Sequence, residues 1–223
     1  MWVKICANTC LEDALKAAEL GADALGFVFA PSTRQVTPEQ VRSISAQLPE
    51  NVERVGVFAS VPIAEIAAAV EEAGLTAVQM HGGVDLELAR RLGERLGPAI
   101  SIIQTLHWQV SDDAASAAAV LEQMRAVAVS QQDYRVLVDA KIGASPSGGT
   151  GKSFDWETAR GVLSSQPKLR VIVAGGLRPD NVANAIRTLR PWGVDVASGV
   201  EREPGRKDFA KLKSFIENAR GAI

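Results

Sequence analysis

The sequence predicts an α/β protein, a single (β/α)8 TIM-type barrel with a closed parallel sheet spanning residues 1–223. Eight short runs rich in Val, Ile and Leu alternate with eight helical patterns from end to end. The runs are too apolar for a sheet with one wet face, so helices must cover it. At 223 residues the chain is a little under the ~250 typical of such a barrel, and long enough for one buried core.

In chain order, a strand at about 2–6 leads into a helix at about 11–20, which Gly21 stops. A strand at about 24–29 precedes a helix at about 38–48, opened by Thr37-Pro38-Glu39-Gln40: a cap residue, a first-turn proline and an early acid. The third and fourth units pair strands at about 53–58 and 76–80 with helices at about 62–73 and 85–96, stopped by Gly74 and Gly97. The fifth pairs a strand at about 99–105 with a helix at about 112–129, whose Ala-rich stretch from Ala114 to Val129 is a good helix former. A strand at about 135–139 precedes a helix at about 155–165, with Asp155 as cap ahead of Trp156. The last units are 170–174 with 180–190, opened by Pro179-Asp180, and 194–197 with 208–220.

An open doubly wound sheet is the competing architecture, and it lacks its nucleotide fingerprint: Gly149-Thr150-Gly151 has Phe154 where a third glycine belongs. The tract Gly148-Gly149-Thr150-Gly151-Lys152-Ser153 imitates a phosphate-binding P-loop but has Pro146 in place of the first glycine.

Composition excludes several classes of partner. With 47% apolar and 22% charged residues and a net charge of −2, the chain has no electrostatic footprint for nucleic acid or an anionic membrane. No apolar run approaches the roughly 20 residues of a membrane span, and the basic-then-apolar pattern of a signal peptide is missing, so a cytoplasmic protein is expected. Cys6 and Cys10 have neither zinc-knuckle nor CxxC spacing, and both are expected to be free thiols. The four tryptophans, at positions 2, 108, 156 and 192, read as packing anchors.

In a barrel of this kind chemistry collects at the carboxyl ends of the strands. The residues expected there are Cys6, the loop Pro31-Ser32-Thr33-Arg34, His81-Gly82-Gly83, Gln104, Asp139 with its glycine-rich loop, Gly175-Gly176 and Ser198-Gly199. Because residues two apart share a face, Cys6 goes with Lys4, His81 with Gln79 and Asp139 with Leu137, all three polar ends pointing over the barrel mouth. A thiol and a carboxyl at strand ends are a natural pair for moving protons. Gly175-Gly176 allows backbone N–H groups close to a ligand. Ser198-Gly199-Val200-Glu201 is suited to start a short extra helix, so the last two turns form a candidate phosphate site.

These blocks resemble the phosphoribosylanthranilate isomerase family of tryptophan biosynthesis. The resemblance runs over nearly the whole chain: Lys4-Ile5-Cys6, Glu12-Asp13-Ala14, 21–29, Arg34, Val78 to Gly82, Asp139, Gly148 to Phe154, Ala174 to Leu177 and Asp195 to Glu201. It implies an Amadori rearrangement of N-(5-phosphoribosyl)anthranilate to 1-(2-carboxyphenylamino)-1-deoxyribulose 5-phosphate. Asp139 would be the general acid that protonates the ring oxygen, and Cys6 the general base at C2. It further implies that Arg34 meets the anthranilate carboxylate, that His81 is a rim or orienting residue and not the base, and that Asp195 faces the substrate. Gly175, Gly176, Ser198 and Gly199 would hold the phosphate.

For these roles the Asp139 carboxyl needs a raised pKa, from burial or a neighbouring negative charge, and the Cys6 thiol a lowered one, to which Lys4 is the candidate contributor. No metal or cofactor is required, the partner is a small phosphosugar, and both monomer and homodimer remain open. Other phosphosugar barrels are the alternatives: an epimerase, a lyase relying on lysines, an isomerase of a related aminoaldose relying on two aspartates, or a barrel that binds without turnover. The first loop departs from the family pattern, with Ala7 where glycine is usual, Asn8 where an apolar residue is common, and an additional Cys10.

Overall fold

A computed structural model describes residues 1–130, 134–141 and 154–222. The strands are β1 (Trp2–Ile5), β2 (Ala24–Val28), β3 (Glu53–Phe58), β4 (Ala77–Met80), β5 (Ser101–Gln109), β6 (Arg135–Lys141), β7 (Arg170–Val173) and β8 (Gly193–Val196), and they close in that order into a parallel barrel. The helices that follow them are α1 (Leu11–Glu19), α2 (Pro38–Ser45), α3 (Ile63–Ala73), α4 (Leu86–Leu96), α5 (Asp113–Val129), α6 (Trp156–Leu163), α7 (Val182–Leu189) and α8 (Phe209–Arg220). After β8 the chain makes one 3-10 turn at Ser198–Val200 and a small antiparallel hairpin, β9 (Glu201–Glu203) and β10 (Arg206–Lys207), which the sequence reading did not foresee.

The two faces of the sheet carry different cores. Outward residues pack against the helices in one large cluster that includes Val3, Ile5, Leu25, Phe27, Leu106 and Val138. Inward residues form a second, smaller cluster: Ala24, Val55, Ala77, Ile103, Leu137, Ile172 and Ala174. The period of two thus sorts each strand by depth as well as by face. Strand β1 places Trp2 at the floor, Lys4 in the middle and Cys6 just beyond its end; β6 places Arg135, Leu137 and Asp139 in the same sequence. The floor is sealed by Trp2 stacked on Trp192 at 5.2 Å between ring centroids, with the Arg135 guanidinium over both rings and paired to Glu53 at 2.8 Å. Trp108 is fully buried, in line with the expectation of packing anchors.

The helix punctuation holds at Thr37, whose side chain forms a reciprocal capping box with Gln40, and at Asp155, which accepts from the Glu157 N–H. Helix α3 ends in the expected left-handed Gly74. Two expectations need correction. Pro179-Asp180 does not cap α7; Asn181 occupies that position, and its Oδ1 accepts from the Arg178 N–H in the preceding turn. Gln104 is not a rim residue, because β5 continues to Gln109 as its pairing with β6 extends to Lys141. It lies outside the barrel, fully buried, beside the Asp85 backbone at the start of α4.

Candidate active site

One cavity opens at the carboxyl ends of the strands, and its wall includes Cys6, Arg34, His81, Asp139, Gly175, Gly176, Asp195, Ser198 and Gly199 but not Gln104, Thr33, Gly82 or Gly83 from the expected rim. Cys6, Asp139 and Asp195 line its deep part together with Gln79 and Leu137. Arg34, His81, Gly175, Gly176, Ser198 and Gly199 complete its wall. The glycine-rich tract 148–153, including Lys152, lies outside the described residues.

The deep part is built on a buried cation. Lys4 is fully buried, and its Nζ donates to Asp195 Oδ1 at 2.8 Å and to Gln79 Oε1 at 2.9 Å. Gln79 in turn donates to Thr105 Oγ1 at 3.4 Å. Burial works against the charge on Lys4, but the attraction of Asp195 and Cys6 more than reverses it, so its pKa lies above the usual lysine value. Gly26 on the adjacent strand makes room for this arrangement: a β-carbon there would stand 2.6 Å from Cys6 Sγ and 3.0 Å from Lys4 Cε.

Asp139 has the raised pKa a neutral-pH acid requires. Burial pushes it up and Asp195 adds to the effect; Lys4 and a backbone hydrogen bond only partly oppose them, and the result is about 7. Part of its surface remains open to the cavity, so this is the desolvation of a pocket wall and not of a sealed core.

Cys6 departs from expectation. Lys4 and Lys207 both favour the thiolate, yet burial outweighs them and Asp195 adds its repulsion, so the thiol is pushed up and not down. The reason is geometric. Lys4 sits beneath the sulfur with its charge already shared by Asp195 and Gln79, while Cys6 itself is only 7% exposed.

The first loop is held from several sides. Ala7 adopts a left-handed backbone with φ of 61°, the conformation for which the family's usual glycine is suited. Asn8 is buried and explains why a polar residue stands there: its Nδ2 donates to the carbonyls of Ile5 at 2.8 Å and Gly26 at 3.2 Å, tying the loop to β2. Lys207, from β10, donates through Nζ to the Cys6 carbonyl at 2.6 Å. Arg34 makes a two-pronged pair with Glu201, Nη2 lying 2.7 Å from Oε2. Neither Glu201 nor Lys207 was a candidate from sequence, since their hairpin carries no strong local signal.

In the turn after β7 Gly175 and Gly176 both have positive φ, 82° and 70°, and a β-carbon at Gly175 would meet Ala140 N at 2.4 Å. The 3-10 turn at Ser198–Val200 is the short extra helix expected there. His81 holds its place through its main chain: its N–H donates to the Phe58 carbonyl at 2.7 Å and its carbonyl contacts His107 Nε2 at 2.9 Å. Among the described residues, no group of three His, Cys, Asp or Glu side chains is placed to hold a metal ion.

A model of the family described as N-(5′-phosphoribosyl)anthranilate (PRA) isomerase matches residues 3–218. The N-(5′-phosphoribosyl)anthranilate isomerase of Pelobacter propionicus is 42% identical over 219 residues, covering 98% of this chain and 95% of that one. Among solved structures, monomers generated from the dimeric phosphoribosylanthranilate isomerase of Thermotoga maritima superpose with a TM-score of 0.80 at 38% identity, covering 99% of both chains. A phosphoribosylanthranilate isomerase in complex with reduced 1-(o-carboxyphenylamino)-1-deoxyribulose 5-phosphate gives 0.79 and 38%, again over 99% of both chains.

Proposed function

Since this chain belongs to the N-(5′-phosphoribosyl)anthranilate isomerase family, we propose that it carries out that aldose–ketose isomerisation in tryptophan biosynthesis, with Asp139 as proton donor and Cys6 as proton acceptor. The observation that carries the assignment is the convergence of the two groups on one cavity from β1 and β6, with the carboxyl held near neutrality.

Asp139 gives its proton to the furanose ring oxygen as the C1–O bond opens, leaving an iminium between C1 and the anthranilate nitrogen. Cys6 then removes the proton from C2; the resulting enol-amine returns to the ketone by taking a proton at C1 and releasing the one on the C2 oxygen. Thiolate with carboxylic acid is one of the two singly protonated arrangements of this pair, and the pH–rate profile belongs to the pair as a whole. Lys4 favours the thiolate and Asp195 the protonated acid, but each acts in the opposite sense on the other group, so burial is the largest influence on both. The cationic iminium, formed next to the sulfur, adds attraction for the thiolate at the step that needs it.

The phosphate is seated by backbone N–H groups at Gly175, Gly176, Ser198 and Gly199, and the anthranilate carboxylate by Arg34. Asp195 faces the sugar, and His81 orients the rim. The reading includes a cytoplasmic setting, a monomer or homodimer, and no nucleic-acid or membrane partner; no helix among the described residues is long and apolar enough to cross a membrane.

The direct test follows the fluorescence of freshly generated phosphoribosylanthranilate with the purified protein, with and without EDTA. Loss of fluorescence that EDTA leaves unchanged is expected. Absence of turnover by the folded protein would reject the proposal.

A further inference from the structure

Arg34 lines the cavity with its guanidinium held in an ion pair to Glu201. Its Nε lies 2.9 and 3.1 Å from the two oxygens of Glu201, and its Nη2 lies 2.7 Å from Oε2. That consumes one edge of the guanidinium fork. A guanidinium has five N–H bonds, and the other edge, made by Nη1 and the second N–H of Nη2, still offers two parallel donors to a carboxylate.

The carboxylate that fixes the first edge is itself fixed. Glu201's side chain is only 4% exposed, and its Oε1 also accepts from the Gly205 N–H at 3.2 Å and from Lys207 Nζ at 3.3 Å. Lys207 is tied in turn to the Cys6 carbonyl at 2.6 Å. A chain of contacts therefore runs from the loop after β2, through the β9–β10 hairpin, to the main chain that carries the thiol.

We propose that Glu201 is a positioning residue for substrate specificity: it clamps one edge of Arg34 so that the free edge faces the cavity at a set angle, selecting an N-aryl substrate whose ring bears a carboxylate. The inference rests on Arg34 as the seat of that carboxylate. It differs from two simpler accounts. In one, Glu201 occupies the seat and the substrate displaces it; in the other, Glu201 only braces the hairpin.

The test measures steady-state constants for Glu201→Gln, Arg34→Ala and the double variant. It adds binding of two stable analogues by calorimetry, the reduced product phosphate with its ring carboxylate and the phenylamino counterpart without it. Glu201→Gln should raise KM at least about tenfold, the scale of a charge-assisted hydrogen-bond pair, with kcat within about threefold. In the Arg34→Ala background the same change should do nothing further, and only the carboxylate-bearing analogue should lose affinity. An unchanged or lowered KM, additive effects, or equal loss for both analogues would overturn the proposal.

Should Glu201→Gln fail to fold by circular dichroism, a crystal structure of the wild type with the reduced product decides. Arg34 must keep both contacts to Glu201 while its other edge meets the ring carboxylate, and a broken Arg34–Glu201 pair overturns the inference. Wild-type protein inactive on phosphoribosylanthranilate would instead refute the function proposed above, so the two failures are distinguishable.

Discussion

Lys4 and Asp195 are register partners on β1 and β8, the two strands whose pairing closes the barrel, and their side chains meet at 2.8 Å beneath the cavity. The pair does two things from one position. It satisfies a cation that would otherwise be intolerable in a dry interior, and both of its charges act on Cys6 and on Asp139, the two groups proposed to exchange protons with the substrate. Removing either partner alone should therefore affect folding and chemistry together.

Lys4→Met keeps the length of the side chain and deletes its charge, leaving Asp195 buried without its partner. Loss of one member of a buried pair costs about 3–5 kcal/mol, so the urea midpoint should fall well below that of the wild type. A midpoint within error of wild type would show that water reaches Asp195 and takes over the role of Lys4.

Asp139 ties the stability of the fold to pH. Its pKa is about 7 in the folded chain against an ordinary value of 3.8. The folded state thus holds its proton more tightly than the unfolded one, and the linkage slope is negative. The penalty is absent below about pH 4, grows as pH rises, and is complete above about pH 7. At about 1.4 kcal/mol per tenfold change in proton affinity it reaches at most a few kcal/mol, reduced by water in the open cavity. Asp139→Asn should accordingly be more stable than wild type at pH 8 and equal to it near pH 4, as urea titrations at the two pH values will show.

The same substitution removes the proposed acid. Turnover of Asp139→Asn should drop at least ~100-fold, and the wild-type kcat/KM should rise up to about pH 7, hold level while the Cys6–Asp139 pair carries a single proton, and fall once the raised thiol pKa is passed. A wild-type profile flat from pH 6 to 9 would take the role of acid away from Asp139.

Gly199 is required for space. A β-carbon there would stand 1.9 Å from the Leu177 carbonyl oxygen, a backbone atom that cannot swing aside. Gly199→Ala should cost roughly 1–3 kcal/mol through forced backbone movement and raise KM by distorting the proposed phosphate seat. Gly161 in α6 is the control, with nothing within 4 Å of its missing β-carbon. Gly161→Ala should leave KM alone and stabilise the helix by about 0.5–1 kcal/mol.

Period and punctuation made the barrel legible before any coordinates. Cys6 and Asp139 could be found because each follows an apolar run, and two-residue alternation then aimed both at the mouth. What stayed hidden depends on contacts between distant segments. The length of β5 is set by its pairing with β6, which no local pattern around Gln104 announces. Glu201 and Lys207 matter because a hairpin carries them to Arg34 and Cys6, 167 and 201 residues away in the chain. The sign of the Cys6 shift was hidden for a related reason: a lysine two residues away is readable, but its prior engagement with Asp195 and Gln79 is not.

That reversal makes Cys6 the sharpest test of the chemistry. With Cys10 replaced by Ser to leave a single thiol, the pH dependence of iodoacetamide alkylation should give an apparent pKa above the ordinary value of 9.0 in the empty site, because burial outweighs the two lysines. Activity near neutrality then comes from a minority of molecules in which the thiolate coexists with a protonated Asp139, and the substrate's own developing cation enlarges that minority. Cys6→Ala should lose at least ~100-fold in kcat, and Cys6→Ser should do nearly as badly, since an alcohol is a far weaker acid than a thiol and forms its anion far less readily. An alkylation pKa below 7 would mean that Lys4 and Lys207 prevail over burial, and Cys6→Ala retaining wild-type turnover would remove the thiol from the reaction altogether.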